Sequence, residues 1–240
     1  MQSFSQLGED IFLFQNFINV PRSDLAAFEI GAYDGLTYSN TAALESFHKC
    51  RCVLVEPSPV NVKKIHRNRP KASIHHVAVA LDFGLCEFVG HYPTSGLSDC
   101  LTTEYIDQWK LGDVERFQVL TAPMKAITTM ERAAYIDFIS IDVQGAELNV
   151  LKSMDWDVPI GTICIELEGA HPSLEQSCRE LLRAKGFAFS RRLHISEFWF
   201  QPSYFRATLL FEESRKTPFA GFEFLHFDET WRKALANNFY

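Results

Sequence analysis

Four short apolar runs govern how this chain can fold. Ala27-Phe28-Glu29-Ile30, Cys52-Val53-Leu54-Val55, Tyr135 to Ile141 and Thr162 to Leu167 are apolar at most successive positions, and each runs into a carboxylate, a glycine or both. Strands written this way are covered on both faces. Helix signals stand between them. Ser39-Asn40 can cap a helix through Lys49, and Ser58-Pro59 opens a polar helix carrying Lys63, Lys64, Arg67 and Arg69. Gly145 precedes a helix through Leu151 and Met154, and a helix from Ser173 to Lys185 stops at Gly186. Strands alternating with helices predict an α/β chain with a mostly parallel, doubly wound sheet, and in such sheets ligands bind beyond the carboxyl ends of the strands.

The remaining segments decorate that sheet. Gln6 to Phe17 sets Leu7, Ile11, Phe14 and Phe17 at helical spacing and reads as an N-terminal cover. A third strand fits Ile74 to Val79, Gly84 to Tyr92 reads as an inserted strand or hairpin, and Pro93 to Asp99 reads as a loop. Phe187 to Leu193 and Ala207 to Phe211 are expected to close the sheet as a terminal antiparallel pair. With 240 residues and no linker or repeat, residues 1–240 read as one domain. Its expected parts are a helical cover at 1–25, a sheet core at 26–213 with an insertion around 84–124, and an extension at 214–240.

Charge and cysteine usage narrow the function classes. The net charge of −7 argues against affinity built on neutralising phosphates, so no nucleic-acid partner is expected. The basic helix around Lys63 to Arg69 then reads as a solvated face. Six cysteines lack the spacing of a structural zinc site, and those near apolar runs look like reduced core residues. The N-terminus lacks a basic region and a small-residue cleavage site, and no apolar run reaches the roughly 18–20 residues of a membrane span. A soluble, cytoplasmic protein is the expectation.

The strand ends carry the chemistry. Glu29-Ile30-Gly31-Ala32-Tyr33-Asp34-Gly35 places two glycines where the backbone must turn sharply, yet Tyr33 occupies a position at which a dinucleotide fingerprint needs glycine. That disfavours a pyrophosphate and a nicotinamide dehydrogenase. An acid on the strand, Glu29, suits a cationic group, such as the amine and sulfonium of S-adenosylmethionine. About twenty residues on, Glu56 closes the second strand, where a carboxylate can accept both hydroxyls of a ribose. An ordinary tight turn at Gly31 and Gly35, with Glu56 as a helix-start acid, is the plainer alternative.

At this point the chain resembles FkbM-type S-adenosylmethionine-dependent methyltransferases. The matching pieces are S-Q-L-G-E-D (Ser5 to Asp10), F-E-I-G-A-Y-D-G and S-N-T (Phe28 to Thr41), V-L-V-E-P-S-P (Val53 to Pro59), A-V-A (Ala78 to Ala80), T-S-G-L-S (Thr94 to Ser98) and D-F-I-S-I-D-V-Q-G-A-E (Asp137 to Glu147). They follow the family's order through about residue 170. The family's third element usually reads D-V-E-G, and Gln144 stands here for that glutamate. The resemblance implies a Rossmann-like class I methyltransferase sheet and S-adenosylmethionine as cofactor. It also implies that Glu29, Gly31 and Ala32 line the methionine and ribose part, that Glu56 with Pro57 beside it holds the ribose diol, and that Ala78 and Val79 border the adenine. Gln6 and Asn40 would close over the cofactor, and Asp34 would organise the turn.

Methyl transfer to a hydroxyl needs alignment, exclusion of water and somewhere for the proton to go. Asp142, ending a strand where the methyl group is expected in this fold, is a candidate base, acceptor clamp or cofactor contact, or else caps the helix beginning near Gln144. Glu166 and Glu168 share a strand face, with Glu168 nearer the ligand edge, and His171 can exchange a proton near neutral pH. Asp142, Glu168 and His171 are thus the catalytic candidates. A divalent cation such as magnesium on Asp142 and Glu168 is a secondary reading that the spacing does not require. Ser95 to Ser98 could touch an acceptor, as could the aromatic group Phe198, Trp199, Phe200 and Tyr204 near His194, unless those rings are core. The leading expectation is an O-methyltransferase acting on a sugar, a glycan or a glycosylated metabolite. Methylation of nucleic acid or protein, and a cofactor-binding module without catalysis, are the alternatives.

Overall fold

The computed structural model describes residues 3–18 and 24–204. In chain order it forms α1 (Glu9–Asn16), β1 (Ala26–Ile30), α2 (Ala42–His48), β2 (Arg51–Val55), α3 (Pro59–Asn68), β3 (Ser73–His75) and β4 (Ala78–Val79). There follow β5 (Gly84–Val89), β6 (Gly96–Leu97), a single 3-10 turn at Ser98–Cys100, α4 (Thr103–Gln108), β7 (Arg116–Ala122) and α5 (Met124–Met130). The chain then runs through β8 (Ile136–Ile141), α6 (Glu147–Ser153), β9 (Ile160–Glu166), α7 (Pro172–Ala184), β10 (Ala188–Leu193) and β11 (Ser196–Phe200).

Seven strands make the main sheet in the order β10-β11-β9-β8-β1-β2-β3. From β3 to β9 all neighbours are parallel, and β11 and β10 close the far edge antiparallel. The chain steps outward from β1 to β2 and β3, then returns to lay β8 on the other side of β1. This reversal opens a crevice above the carboxyl ends of β1 and β8, the place where a doubly wound sheet accepts ligands.

Strand periodicity sends alternate residues to opposite layers. Phe28, Ile30, Val53, Val55, Ile139, Ile141, Ile163 and Ile165 pack with Met124 and Ile127 of α5, Val150 and Leu151 of α6 and Leu182 of α7. Ala27, Cys52, Leu54, Phe138 and Cys164 face the other way, onto Leu13 and Phe14 of α1, Ala43 and Leu44 of α2 and Ile65 of α3. Both faces are therefore dry, as continuous apolar runs require.

Several expectations are corrected. The run Ile74 to Val79 is two strands in two sheets, because the chain leaves the main sheet at His76, whose Nε2 lies 3.1 Å from the Pro57 carbonyl, and β4 pairs with β7 instead. That second sheet has the order β4-β7-β5-β6, and its strand β6 lies inside the segment expected to be a loop. Among the described residues β10 pairs with β11; its expected partner, Ala207 to Phe211, lies outside the described residues along with the 214–240 extension. Phe198, Trp199 and Phe200 are wholly buried, since β11 sits between two neighbours with both faces covered, so they form core and no acceptor platform. Arg69 is likewise no solvated charge. It is buried, ion-paired with Glu45, and donates from Nη1 to the Gly35 carbonyl at 3.0 Å. No helix among the described residues is long and apolar enough to cross a membrane.

Candidate active site

A cavity of about 350 Å³ opens above the ends of β1, β2, β8 and β9, within the roughly 300–1,000 Å³ usual for small-molecule sites. The acids that end or follow these strands, Glu29, Glu56, Asp142, Glu166 and Glu168, all line it. No lysine, arginine or histidine among the described residues does so. The opposite wall comes from the second sheet and its loops, with Phe88, Tyr92, Ser95, Leu97 and Trp109.

Gly31 makes the crevice possible. Its φ is 88°, and a Cβ there would stand 1.8 Å from the Asp142 carbonyl oxygen. Gly35 (φ 80°) instead packs on the Ile65 and Arg69 side chains, so it serves the fold and not the cavity. The turn also withholds its amides. Gly31 and Ala32 both donate to the Val55 carbonyl, Tyr33 donates to Glu56 Oε2 at 2.9 Å, and Leu36 and Thr37 donate to Asp34 Oδ1. No cradle of free N–H groups is left for a pyrophosphate.

Each carboxylate has a local reason for its place. Glu29 is buried and accepts from Ser39 Oγ (2.8 Å), Thr41 Oγ1 (2.6 Å) and the Asn40 amide (2.7 Å), which latches the 39–41 turn onto β1. Burial pushes its pKa up, against the pull of nearby Arg69 and these donors. Glu56 accepts from the Ser58 amide at 2.9 Å as well as from Tyr33, and burial lifts it to about 7. Burial, reinforced by Glu147 and Glu168, raises Asp142, and burial with Asp142 as neighbour raises Glu166. Glu147, at the start of α6, is lifted by burial to about 7 while accepting the Gly145 amide at 3.0 Å.

Asp142 does not cap α6. That helix starts at Glu147, and the Asp142 carboxylate accepts instead from Gln144 Nε2 at 2.6 Å. Gln144 Oε1 in turn accepts a short hydrogen bond from the Tyr105 hydroxyl. Burial, with Glu168 and Asp142 nearby, raises Tyr105 and keeps it a donor. Gln144 adopts a left-handed backbone (φ 52°), a conformation costing a side-chain-bearing residue about 1–3 kcal/mol.

Of the residues singled out by sequence, Gln6, Glu29, Gly31, Ala32, Glu56, Pro57, Ala78, Val79, Asp142 and Glu168 all line the cavity. Gln6 arrives there because a bridge between Ser5 and Tyr38 lays the N-terminal segment beside the β1 turn. The neighbouring acids serve the fold, with Asp10 accepting from Ser3 and Ser5 and Glu9 accepting from Ser196. Two residues stand elsewhere. Asn40 points behind the wall, donating to Ser140 Oγ at 2.9 Å, with its Oδ1 buried and without a partner among the described residues. His171 faces an adjoining cavity of about 30 Å³ that shares Gln144, Glu166 and Glu168 with the larger one. Among the described residues no cluster of three or more His, Cys, Asp or Glu side chains is arranged for a metal ion, so the magnesium reading of Asp142 and Glu168 gains no donor set. Sequence reasoning missed Tyr92 and Trp109, which tertiary packing of the second sheet brings to the cavity, and Glu166 as a cavity-facing acid.

Comparison with known proteins sets this geometry in context. Residues 29–189 match the methyltransferase FkbM domain. Among solved structures, the chain is similar to methyltransferase FkbM from Methylobacillus flagellatus KT at 14% identity and a TM-score of 0.50, covering 82% of this chain and 48% of that one. The present chain thus spans about half the length of that relative. It is also similar to precorrin-6y C5,15-methyltransferase from Geobacter metallireducens GS-15 (12% identity, TM-score 0.41, 80% and 79% covered). A further likeness is to fibrillarin of Aeropyrum pernix, solved with natively bound S-adenosyl-L-methionine (13% identity, TM-score 0.43, 81% and 74% covered). No curated protein matches the sequence.

Proposed function

The chain belongs to the FkbM methyltransferase domain family, whose members depend on S-adenosylmethionine, and on that premise we propose that it is an O-methyltransferase acting on a hydroxyl of a sugar, a glycan or a glycosylated metabolite. The observation that carries the proposal is the cavity at the β1–β8 crevice, lined by strand-end carboxylates and by no cation among the described residues. Such a carboxylate set fits a cofactor with a cationic amine and sulfonium, and the engagement of the Gly31, Ala32 and Tyr33 amides by Val55 and Glu56 fits a ligand without pyrophosphate.

When bound, S-adenosylmethionine supplies an electrophilic methyl group on positively charged sulfur. Glu56 would accept from the ribose hydroxyls with its remaining lone pairs, beside Pro57. Ala78 and Val79 would give the apolar border of the adenine, and Glu29, Gly31 and Ala32 the floor beneath the methionine portion. Gln6 and the 39–41 turn around Asn40 would close that end of the site. Asp142 would take the proton of the acceptor hydroxyl, and the burial that raises its pKa suits a general base working near neutrality. Glu168, on the cavity rim, would orient the acceptor, with His171 one wall away.

The acceptor side supports a neutral, hydroxyl-rich partner. Tyr92 and Trp109 are exposed aromatic faces on the cavity wall next to the Ser95 hydroxyl, a combination suited to stacking on a sugar ring while binding its hydroxyls. A phosphate-bearing acceptor would meet carboxylates there and no cation among the described residues. All six cysteines are free thiols, four of them buried, which favours a reducing compartment such as the cytoplasm.

The test is transfer of a labelled methyl group from S-adenosylmethionine to a panel of sugars and glycosides, with RNA and protein included, and products mapped by mass spectrometry. Label as O-methyl on a saccharide is the expected result. Label confined to RNA, protein or nitrogen would replace this acceptor assignment.

A further inference from the structure

Asp142 stands in an unusual electrostatic setting. The charged and titratable groups packed around it are Glu29 of β1, Glu147 of α6, Glu166 of β9, Glu168 just beyond β9, Tyr105 of α4 and, across the adjoining cavity, His171 ahead of α7. Apart from the His171 imidazole, one wall away, none of these can stabilise a negative charge on Asp142 by opposite sign, and no cation lines the larger cavity among the described residues. Left to that field, the carboxylate would keep its proton and could not receive another. Among the described residues its side-chain donor is the Gln144 amide, 2.6 Å from Oδ1.

The geometry of Gln144 is over-determined. The Tyr105 hydroxyl donates to Gln144 Oε1, and the ionised Asp142 carboxylate, which can only accept, takes Nε2, so Oε1 faces α4 and Nε2 faces Asp142. The backbone is held left-handed at Gln144, and a Cβ on the next residue, Gly145, would stand 2.4 Å from the Cys100 carbonyl oxygen. Gly96 of β6 approaches so closely that its own Cβ would lie 3.3 Å from Gln144 Cβ. Three elements thus press one neutral amide onto one carboxylate. A glutamate at 144 would replace the neutral amide with another ionisable acid in an already acidic cluster, whereas a methionine would fill the space and donate nothing.

We propose that Gln144 is a positioning residue for the methyl-transfer site, its amide oriented by Tyr105 and donating the neutral hydrogen bond that holds Asp142 in the cavity as an anion able to receive the acceptor's proton. This rests on the reading of Asp142 as the base. The methyl donor itself contributes positive charge beside the same cluster, so the amide and the bound cation work in the same direction on Asp142.

The experiment follows the Asp142 carboxyl by carbon NMR in the full chain labelled at aspartate carboxyls, with the resonance assigned by its loss in Asp142→Asn. Gln144→Met should raise the Asp142 titration midpoint by about one pH unit, the size expected on losing a hydrogen bond to a charged group. Gln144→Glu should raise it further, and Tyr105→Phe should raise it by less. In parallel, calorimetry with S-adenosylmethionine and S-adenosylhomocysteine should show the preference for the sulfonium-bearing ligand changing its pH dependence in Gln144→Met. An unchanged midpoint in folded Gln144→Met overturns the proposal. If that variant does not fold, an unchanged midpoint in Tyr105→Phe does so. A wild-type chain that binds neither adenosyl ligand overturns the methyltransferase reading, while the midpoint shift still decides whether Gln144 controls Asp142.

Discussion

Gly31 and Asp142 meet backbone to backbone, so closely that a single Cβ on Gly31 would lie 1.8 Å from the Asp142 carbonyl oxygen. The contact joins the end of β1 to the end of β8 at the point where the strand order reverses, and it sets the width of the crevice. Gly31→Ala must either part these strands or distort a left-handed residue. A loss of at least about 3 kcal/mol in urea unfolding is expected, with adenosyl-ligand binding abolished. A variant of wild-type stability would show that the strand ends have room to spare.

Arg69 is the second structural hinge of the site. Its guanidinium is buried, pairs with Glu45, donates to the Gly35 carbonyl and lies near Glu29. Arg69→Met leaves those acceptors buried without their donor and is expected to cost about 3–5 kcal/mol in denaturant unfolding. Arg69→Lys should recover only part of this, because an ammonium cannot span Glu45 and the Gly35 carbonyl with a planar fork.

Much of this arrangement could be read from the chain. β1, β2, β8 and β9 are legible because their residues are buried on both faces, and the acids that follow them identify the ligand edge. Where burial is one-sided or the run changes sheets, pattern reading fails. β7 carries the outward Leu120 next to the buried Val119, which breaks the alternation, and Ile74 to Val79 looks continuous although its halves pair with different partners. Arg69 reads as one more basic residue on a polar helix, since only tertiary packing buries it. Trp109 and Tyr92 lie far in sequence from the motifs they face. Gln144 is visible only as an unexpected residue, and its use becomes clear when Tyr105 and Asp142 are seen on either side of it.

Stability should depend on pH in a direction set by buried acids. Glu56 and Glu147 are both lifted by burial from an ordinary 4.5 to about 7. The folded chain therefore holds protons that the unfolded chain has released between about pH 4.5 and 7, and stability falls as pH rises through that window, by up to about 3 kcal/mol per group. Urea unfolding at pH 5 and pH 8 checks this, and Glu147→Gln should remove part of the decline. Cofactor affinity should run the opposite way and increase through pH 7, because Glu56 must ionise to accept fully from the ribose.

The aromatic wall should serve the acceptor alone. Trp109→Ala is expected to raise the acceptor KM about three- to tenfold, the worth of one stacking contact, while leaving the dissociation constant of S-adenosylhomocysteine unchanged. An equal loss for both ligands would move Trp109 to the cofactor side of the cavity.

The central claim is that the carboxylate-lined crevice holds an adenosyl cofactor through Glu56. Isothermal titration of S-adenosylmethionine into the full chain and into Glu56→Ala tests it most directly. Saturable one-site binding to the wild type, weakened at least about tenfold by the substitution, is the predicted result, since hydrogen bonds to a charged group are worth about 1.5–3 kcal/mol. Equal affinity in the two proteins would contradict it.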